Sequence, residues 1–98
     1  MLLAHAVTLA EARSYVTALA DQAQSFDASV EYERVLLQLD FIHGDYIPGI
    51  TPIPANHRDL LFDVASDAIE ELAEHGVELL EVELLLDMLE TARAKDLP

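Results

Sequence analysis

The sequence predicts an all-α protein, a four-helix bundle in which two antiparallel helical hairpins are joined by an ordered, proline-rich crossover loop. Apolar residues recur at helical spacing in four segments. The connections within each pair of segments are short, which favours antiparallel neighbours. Three of the four prolines fall between the second and third segments, where they exclude a helix. With 98 residues the chain predicts one domain, 1–98.

The first helix is predicted at about 9–24. Thr8 is followed three residues later by Glu11, which is the pattern of a capping box. Small apolar residues then follow on one face, at Ala12, Val16, Leu19 and Ala23. An alanine-rich face predicts close packing on a neighbouring helix.

The second helix is predicted at about 28–43. Asp27 or Ser29 is a suitable N-cap residue. Gly44 is a natural stop, because glycine adopts the left-handed conformation that ends many helices. The inner stripe is Tyr32, Val35, Leu36, Leu39 and Ile42.

The loop 44–56 contains three prolines and also four large apolar residues. Proline removes backbone donors, so the segment suits neither a helix nor a central strand. A floppy linker would not need apolar side chains, so we expect an ordered loop clamped onto the bundle. The clamping residues are expected to be Tyr46, Ile47, Ile50 and Ile53.

The third helix is predicted at about 57–75, with Asn56 as its cap. Gly76 ends it, and Val77 can supply the apolar contact of a Schellman turn.

The fourth helix, about 78–94, is apolar nearly all round, which is typical of a helix that is central or packed on a second subunit. One stripe is Val82, Leu85, Leu86 and Leu89. The other is Leu80, Leu84 and Met88, which we assign to a possible oligomer interface, one of the two stripes facing the core and the other a partner subunit.

The charge balance restricts the partners. Asp and Glu number 19 against 5 Lys and Arg, a formal charge of −14. A nucleic acid or an anionic membrane requires cations on the protein, so we expect neither as a partner. No apolar run reaches the length of a membrane span. Cysteine is absent, which excludes disulfides and thiolate metal sites and favours a cytoplasmic setting.

The acids concentrate in the second half. From Asp59 to Glu90 there are 11 acids and no Lys or Arg. The set Asp63, Asp67, Glu70 and Glu74 is spaced to share one face of the third helix. One interpretation is a solvated face that keeps an acidic protein in solution. The other is a docking surface for a basic protein, with Tyr46 and Ile50 as apolar anchors.

The residues that could carry chemistry are few. No serine lies in a nucleophile elbow and no glycine-rich phosphate loop is present, so we predict no catalytic residue and no cofactor. Asp40-x-x-His43 and the pair Glu71 and His75 allow a carboxylate–histidine metal bundle. The simpler interpretation is that both histidines complement helix C-termini, and no metal ligand is assigned. His5 and His57 are expected to be surface or terminal residues.

Two partial resemblances exist. Asp27-Ala28-Ser29-Val30, a helix and then Asp45-Tyr46-Ile47-Pro48 resembles the recognition-helix region of acyl carrier proteins over 22 residues. That resemblance implies Ser29 as a phosphopantetheine carrier. It departs from the family because Ala28 separates the aspartate from the serine, and the long loop between the first two helices is missing.

The second resemblance is one of layout. Colicin-nuclease immunity proteins pair an acidic helix with an adjoining Tyr-Pro segment as a binding face. Glu31, Glu33 and Asp40, ahead of Tyr46 and Pro48, resemble that layout without sharing a specific motif.

The sequence therefore predicts a non-enzymatic, acidic protein-binding module, of the inhibitor, immunity or anti-defence type, that docks on a basic protein partner. One alternative is a structural homo-oligomer, such as a homodimer, that associates through the fourth helix. The second alternative is the carboxylate–histidine metal-binding bundle.

Overall fold

A computed structural model describes residues 2–44 and 47–96 of the chain, and this part is helical with no strand. Its helices are α1 (Leu3–Asp21), α2 (Phe26–His43), α3 (Arg58–Glu71) with a following 3₁₀ turn (Leu72–His75), and α4 (Leu79–Lys95). The all-α prediction is confirmed.

Each helix packs on two neighbours. Close contacts join α1 to α2 and α3, and α4 to α2 and α3. The described Cα atoms of α1 stay more than 8 Å from those of α4, and the same holds for α2 and α3. The start of α1 meets the ends of α2 and α3, and Glu31 near the start of α2 meets Lys95 at the end of α4. All neighbours are therefore antiparallel, and the fold is a four-helix bundle with one long crossover.

The crossover returns along α1 to the opposite end of the bundle, where α3 begins. Arg13 donates to the carbonyl of Pro48, the backbone N–H of Thr51 donates to Oγ of Ser14 at 2.9 Å, and the N–H of Asn56 donates to the side chain of Gln22 at 3.4 Å. The ordered loop is confirmed, and polar side chains of α1 hold it.

The predicted apolar clamp is wrong for two of its residues. Ile53 packs against the core, but Ile47 and Ile50 keep 46% and 42% of their surface exposed. Tyr46 lies outside the described residues. Hydrogen bonds, rather than these two isoleucines, attach the loop to the bundle. The backbone of a loop interrupted by prolines has carbonyl and amide groups that need hydrogen-bond partners.

One apolar core runs through all four helices. On α1 it is lined by small side chains, such as Ala12 and Val16, which allow close approach of neighbouring helices as predicted. Tyr32 and Leu39 contribute from α2, and Leu85 from α4. This core places the charged residues of α3 on an outer face.

The predicted start of α1 is wrong by two turns. The helix begins at Leu3, so Thr8 lies inside it, buried, and caps nothing. Its hydroxyl donates to Oε2 of Glu71 on α3 at 2.7 Å. The polar group that suggested a cap is satisfied instead by a tertiary contact.

The predicted cap of α2 is also wrong. Ser25 is the N-cap, and its Oγ accepts from the backbone N–H of Ala28 at 3.1 Å. Asp27 lies in the first turn, where its negative charge suits the helix dipole. Ser29 lies one turn in and donates to the carbonyl of Ala20.

At α3, Asn56 is not the cap. The helix begins at Arg58 after His57, and Asn56 accepts from the backbone N–H of His57 at 2.7 Å. The glycine stops are confirmed: Gly44 and Gly76 both have positive φ, 62° and 98°.

Candidate functional site

We define the acidic face as Glu11, Asp63, Asp67, Glu70 and Glu74, all exposed. Asp63, Asp67 and Glu70 lie on the outer side of α3, and Glu74 follows in the 3₁₀ turn, where the predicted α-helix has already ended. Glu11 comes from α1 and was not expected there. It joins the face because α1 packs beside α3.

Two grooves flank this row of acids. A groove of about 480 Å³ between α1 and α3 is lined by Glu11, Asp67, Glu70, Glu71 and Glu74. A second groove of about 610 Å³ between α3 and α4 is lined by Asp63, Asp67, Glu70 and Glu90 together with the apolar side chains of Phe62 and Leu86. Asp67 and Glu70 line both grooves and form the ridge between them.

The cations of the chain pair with acids outside the acidic face, although Arg93, which pairs with Glu90, lines the α3–α4 groove beside the ridge. Every Lys and Arg lies in an ion pair with another acid: Arg13–Asp40, Arg34–Glu31, Arg58–Asp96, Arg93–Glu90 and Lys95–Glu31. Among the described residues, no member of the acidic face has an ion-pair partner. The face therefore carries a net negative charge, which Arg93 reduces on the side of α4.

The α3–α4 groove already accommodates one guanidinium. Arg93 stacks over the ring of Phe62 at 4.0 Å from its centroid and places Nη2 3.1 Å from Oε2 of Glu90. This arrangement combines a cation–π contact with a charged hydrogen bond. The groove thus holds a long basic side chain between the ring of Phe62 and the carboxylate of Glu90.

The crossover borders the acidic face. Glu11 lines the α1–α3 groove and also a smaller cavity with Thr51 and Ile53. Ile50, proposed as an apolar anchor, is the residue before Thr51 and is partly exposed. The other proposed anchor, Tyr46, lies outside the described residues.

On α4, the residues Val82, Leu85 and Leu89 are buried in the core. Leu80 and Leu84 remain 76% and 46% exposed, whereas Met88 packs partly against the core. The assignment of these last three residues to an oligomer interface stays a prediction.

We define the histidine cluster as His5, His43 and His75. Nε2 of His5 lies 3.0 Å from Nε2 of His43, and the His5 ring stacks on the His75 ring with centroids 5.4 Å apart. His5 is partly buried near the start of the chain, where turns of α1 that lie ahead of the predicted helix start bring it between two helix ends. A cavity of about 510 Å³ adjoins the cluster, lined also by Phe41, Ile42, Val77, Glu78 and Glu81.

The hydrogen bonds of the histidine cluster indicate which imidazole nitrogens carry a proton. Nδ1 of His43 lies 2.7 Å from the carbonyl oxygen of Leu39, which can only accept, so this nitrogen carries a proton. In neutral His43 the Nε2 is then an acceptor, and His5 donates to it. Burial first, and then the charges of His43 and His75, lower the pKa of His5.

The described residues contain no group of three or more His, Asp or Glu side chains arranged to hold a metal ion. Asp40, the carboxylate of the Asp40-x-x-His43 pattern, pairs with Arg13. Ser29 is half-buried and its hydroxyl is bonded, so the carrier role implied by the acyl-carrier resemblance gains no support.

Asp96 is a buried carboxylate that sequence reasoning missed. Its Oδ1 accepts from the backbone N–H of Gln24 at 2.8 Å, and its Oδ2 lies 3.2 Å from Nε of Arg58 without a well-aligned hydrogen bond. Burial, and next the charge of Asp96, raise the pKa of Tyr32 to about 12. Asp96 thus joins the end of α4 to the other three helices, a structural role.

Comparison with known protein families, with curated proteins and with solved structures finds no match for this chain. Within the described residues, no helix combines the length and apolar character needed to cross a membrane.

Proposed function

We propose that this protein is a non-enzymatic binding module that docks its acidic face on a basic protein. The observation that carries the proposal is the clustering of exposed acids around two adjoining grooves, where no member of the acidic face has an ion-pair partner among the described residues. A field of one sign speeds the encounter with an oppositely charged partner and excludes acidic competitors.

The shape of the face supports docking beyond general attraction. Rim charges mainly affect association rate, whereas buried aromatic and apolar groups dominate binding energy. The α3–α4 groove combines acids at its rim with the partly exposed Leu86, whereas Phe62 is almost fully buried and covered by Arg93. We propose that arginine or lysine side chains of the partner enter this groove beside Arg93.

The acidic face also has a stability cost. Like charges four residues apart, such as Asp63 and Asp67 or Glu70 and Glu74, destabilise a helix by a few tenths of a kcal/mol per pair. A solvated face tolerates that cost for the sake of solubility, and a docking face tolerates it for binding. The two interpretations differ in whether the position of the charges matters.

Charge reversal at two positions tests this difference. The double variant Asp67→Lys with Glu70→Lys alters the ridge between the grooves. The matched control, Glu83→Lys with Asp87→Lys, makes the same change in net charge at exposed, unpaired acids of α4. Each protein is immobilised and exposed to lysate of the native host at low salt, and captured proteins are identified by mass spectrometry.

We expect a basic protein that the wild type and the control retain, that salt releases, and that the ridge variant loses. With that protein purified, its association rate should fall about tenfold for the ridge variant, with a flatter salt dependence. If the ridge variant and the control bind the same proteins with equal rates and salt slopes, the acidic face only maintains solubility.

The finer assignment is an inhibitor, immunity or anti-defence protein acting in the cytoplasm. An acidic face complements the basic site of an enzyme that handles nucleic acid or another anionic substrate. The absence of cysteine favours a reducing compartment. A captured enzyme whose activity the wild type inhibits, and the ridge variant does not, would support this assignment.

Self-association through α4 is the second candidate function. It is supported by the exposure of Leu80 and Leu84, which lie one turn apart on a helix whose core positions are filled by other residues. Exposed leucines at this spacing are typical of a helix that packs on another surface.

A further inference from the structure

The histidine cluster lies where α1 begins and where α2 and the 3₁₀ turn end. Its three imidazoles come from three separate elements and meet at the seam between them. The preceding side chains of α1 make little contact, since Leu2 and Leu3 are almost fully exposed. Leu9 is buried in the core and anchors the second turn. The cluster and Thr8 therefore provide much of the attachment of the residues that precede Leu9.

The hydrogen bond between His5 and His43 has room for one proton between the two Nε2 atoms. Because Nδ1 of His43 donates to the carbonyl of Leu39, a second proton on His43 must sit on Nε2, which faces Nε2 of His5 at 3.0 Å. Two protonated nitrogens at that distance form no hydrogen bond and repel each other. Protonated His75, stacked on His5, adds a like charge.

Carboxylates surround the cluster without meeting it directly. Glu71 accepts from Thr8, which also lies 3.3 Å from Nε2 of His75. From the side of α4, Glu78 and Glu81 line the adjoining cavity, and Glu81 accepts from Gln38 at 3.4 Å. Asp40 on α2 is paired with Arg13, the amino terminus adds positive charge, and Asp45 lies outside the described residues. The carboxylates reduce the electrostatic repulsion between protonated imidazoles, but they cannot restore the hydrogen bond between His5 and His43.

We propose that the histidine cluster is an acid-sensitive latch, which holds the start of α1 against the ends of α2 and the 3₁₀ turn at neutral pH and releases it when a second imidazole takes up a proton. Release opens the adjoining cavity, which has Phe41, Ile42 and Val77 in its wall. The latch is independent of the acidic face.

The direction of the pH effect follows from His5. Its pKa in the folded protein is lowered from the ordinary 6.5 by burial and by the neighbouring imidazoles. A lowered pKa of a base means that the folded form resists the proton. The stabilisation is therefore complete above pH 6.5 and is lost as the pH falls below that value.

Amide hydrogen exchange measured by NMR tests the latch on the full chain, with a chelator present. The amides to follow are those of Ala6 to Thr8, in the first hydrogen-bonded turn of α1, ahead of the buried Leu9. The variant His5→Gln keeps a side-chain donor but cannot titrate. The control His57→Gln removes an exposed histidine outside the cluster.

Suppose that the closed latch excludes one proton and that the imidazole in the open form has an ordinary pKa. The equilibrium constant for local opening should then rise about eightfold between pH 7 and pH 5.5. We expect protection of these amides, corrected for intrinsic exchange rates, to fall measurably and by up to about that factor in the wild type and in the His57 control. In His5→Gln it should stay constant, as should the protection of buried α2 amides such as Leu39 in all three proteins.

Equal losses in the wild type and His5→Gln would overturn the latch, and so would a wild type with constant protection. Should His5→Gln fail to fold, His43→Gln carries the same expectation. The imidazole signal of His5 in the wild type gives a separate reading. A titration midpoint at or above 6.5 would also reject the proposal.

Discussion

Asp96 illustrates how one side chain can hold several elements together. Its carboxylate bonds the α1–α2 connection at Gln24, pairs with Arg58 at the start of α3, and lies near Tyr32 of α2. The side chain is only 2% exposed, so its charge depends on these partners rather than on water.

We predict that Asp96→Ala lowers the free energy of unfolding by about 2 kcal/mol, because it leaves a backbone donor and the half-buried Arg58 guanidinium without their acceptor. Denaturant unfolding followed by circular dichroism measures this change. The control Asp87→Ala removes an exposed carboxylate and should shift stability by less than about 0.5 kcal/mol. A similar small effect of both substitutions would show that Asp96 is no structural centre.

Helix ends are where local sequence and tertiary packing compete. At Gly76, local chemistry decides the structure. The N–H of Val77 donates to the carbonyl of Leu72 at 3.2 Å and the N–H of Gly76 to that of Ala73 at 3.3 Å, which are the two bonds of a Schellman motif. Val77 then packs against the core, as the sequence predicts.

We expect Gly76→Ala to destabilise the protein by about 1 kcal/mol, because φ of 98° places a Cβ in the unfavourable left-handed region. Gly49 provides the control, since its φ lies outside that region and a Cβ there meets nothing within 4 Å. Gly49→Ala should leave stability unchanged or raise it by a few tenths of a kcal/mol. Thermal unfolding of both variants would disprove the left-handed requirement if their midpoints moved together.

At the starts of α1 and α2, by contrast, the local pattern does not identify the residue that caps the helix. Thr8 and Glu11 have the spacing of a capping box, yet Thr8 bonds to Glu71 of another helix. At α2, three candidate cap residues lie within five positions, and Ser25 rather than Asp27 or Ser29 is used. Polar residues of this kind are versatile, so their pattern indicates a helix end nearby without locating it.

At the scale of the whole molecule, α4 exposes two leucines, Leu80 and Leu84, that could pack on a second copy of the chain. We predict that, if Leu80 and Leu84 mediate self-association, the wild type has twice the monomer mass in light scattering, and Leu84→Glu has the mass of a monomer. Leu37→Glu is the control, because Leu37 is exposed on α2 and was not assigned to the interface. A wild type that is monomeric at high concentration, or a Leu84→Glu variant that stays dimeric, would reject this interface.

The sequence by itself determined the fold class, the number of helices, the crossover and the exposed acidic row of α3. These features are local or periodic. Helical spacing, proline and glycine act within a few residues of the chain, so their consequences can be derived without knowing what packs where.

Only the tertiary structure decided which charges are compensated and which side chains converge. His5, His43 and His75 are separated by more than thirty residues at each step, and they meet because neighbouring helices are antiparallel and the crossover returns α3 along α1. The same arrangement pairs all five cations with acids outside the acidic face and adds Glu11 to it. Contacts of this kind depend on the order and direction of packed helices, which no local pattern encodes.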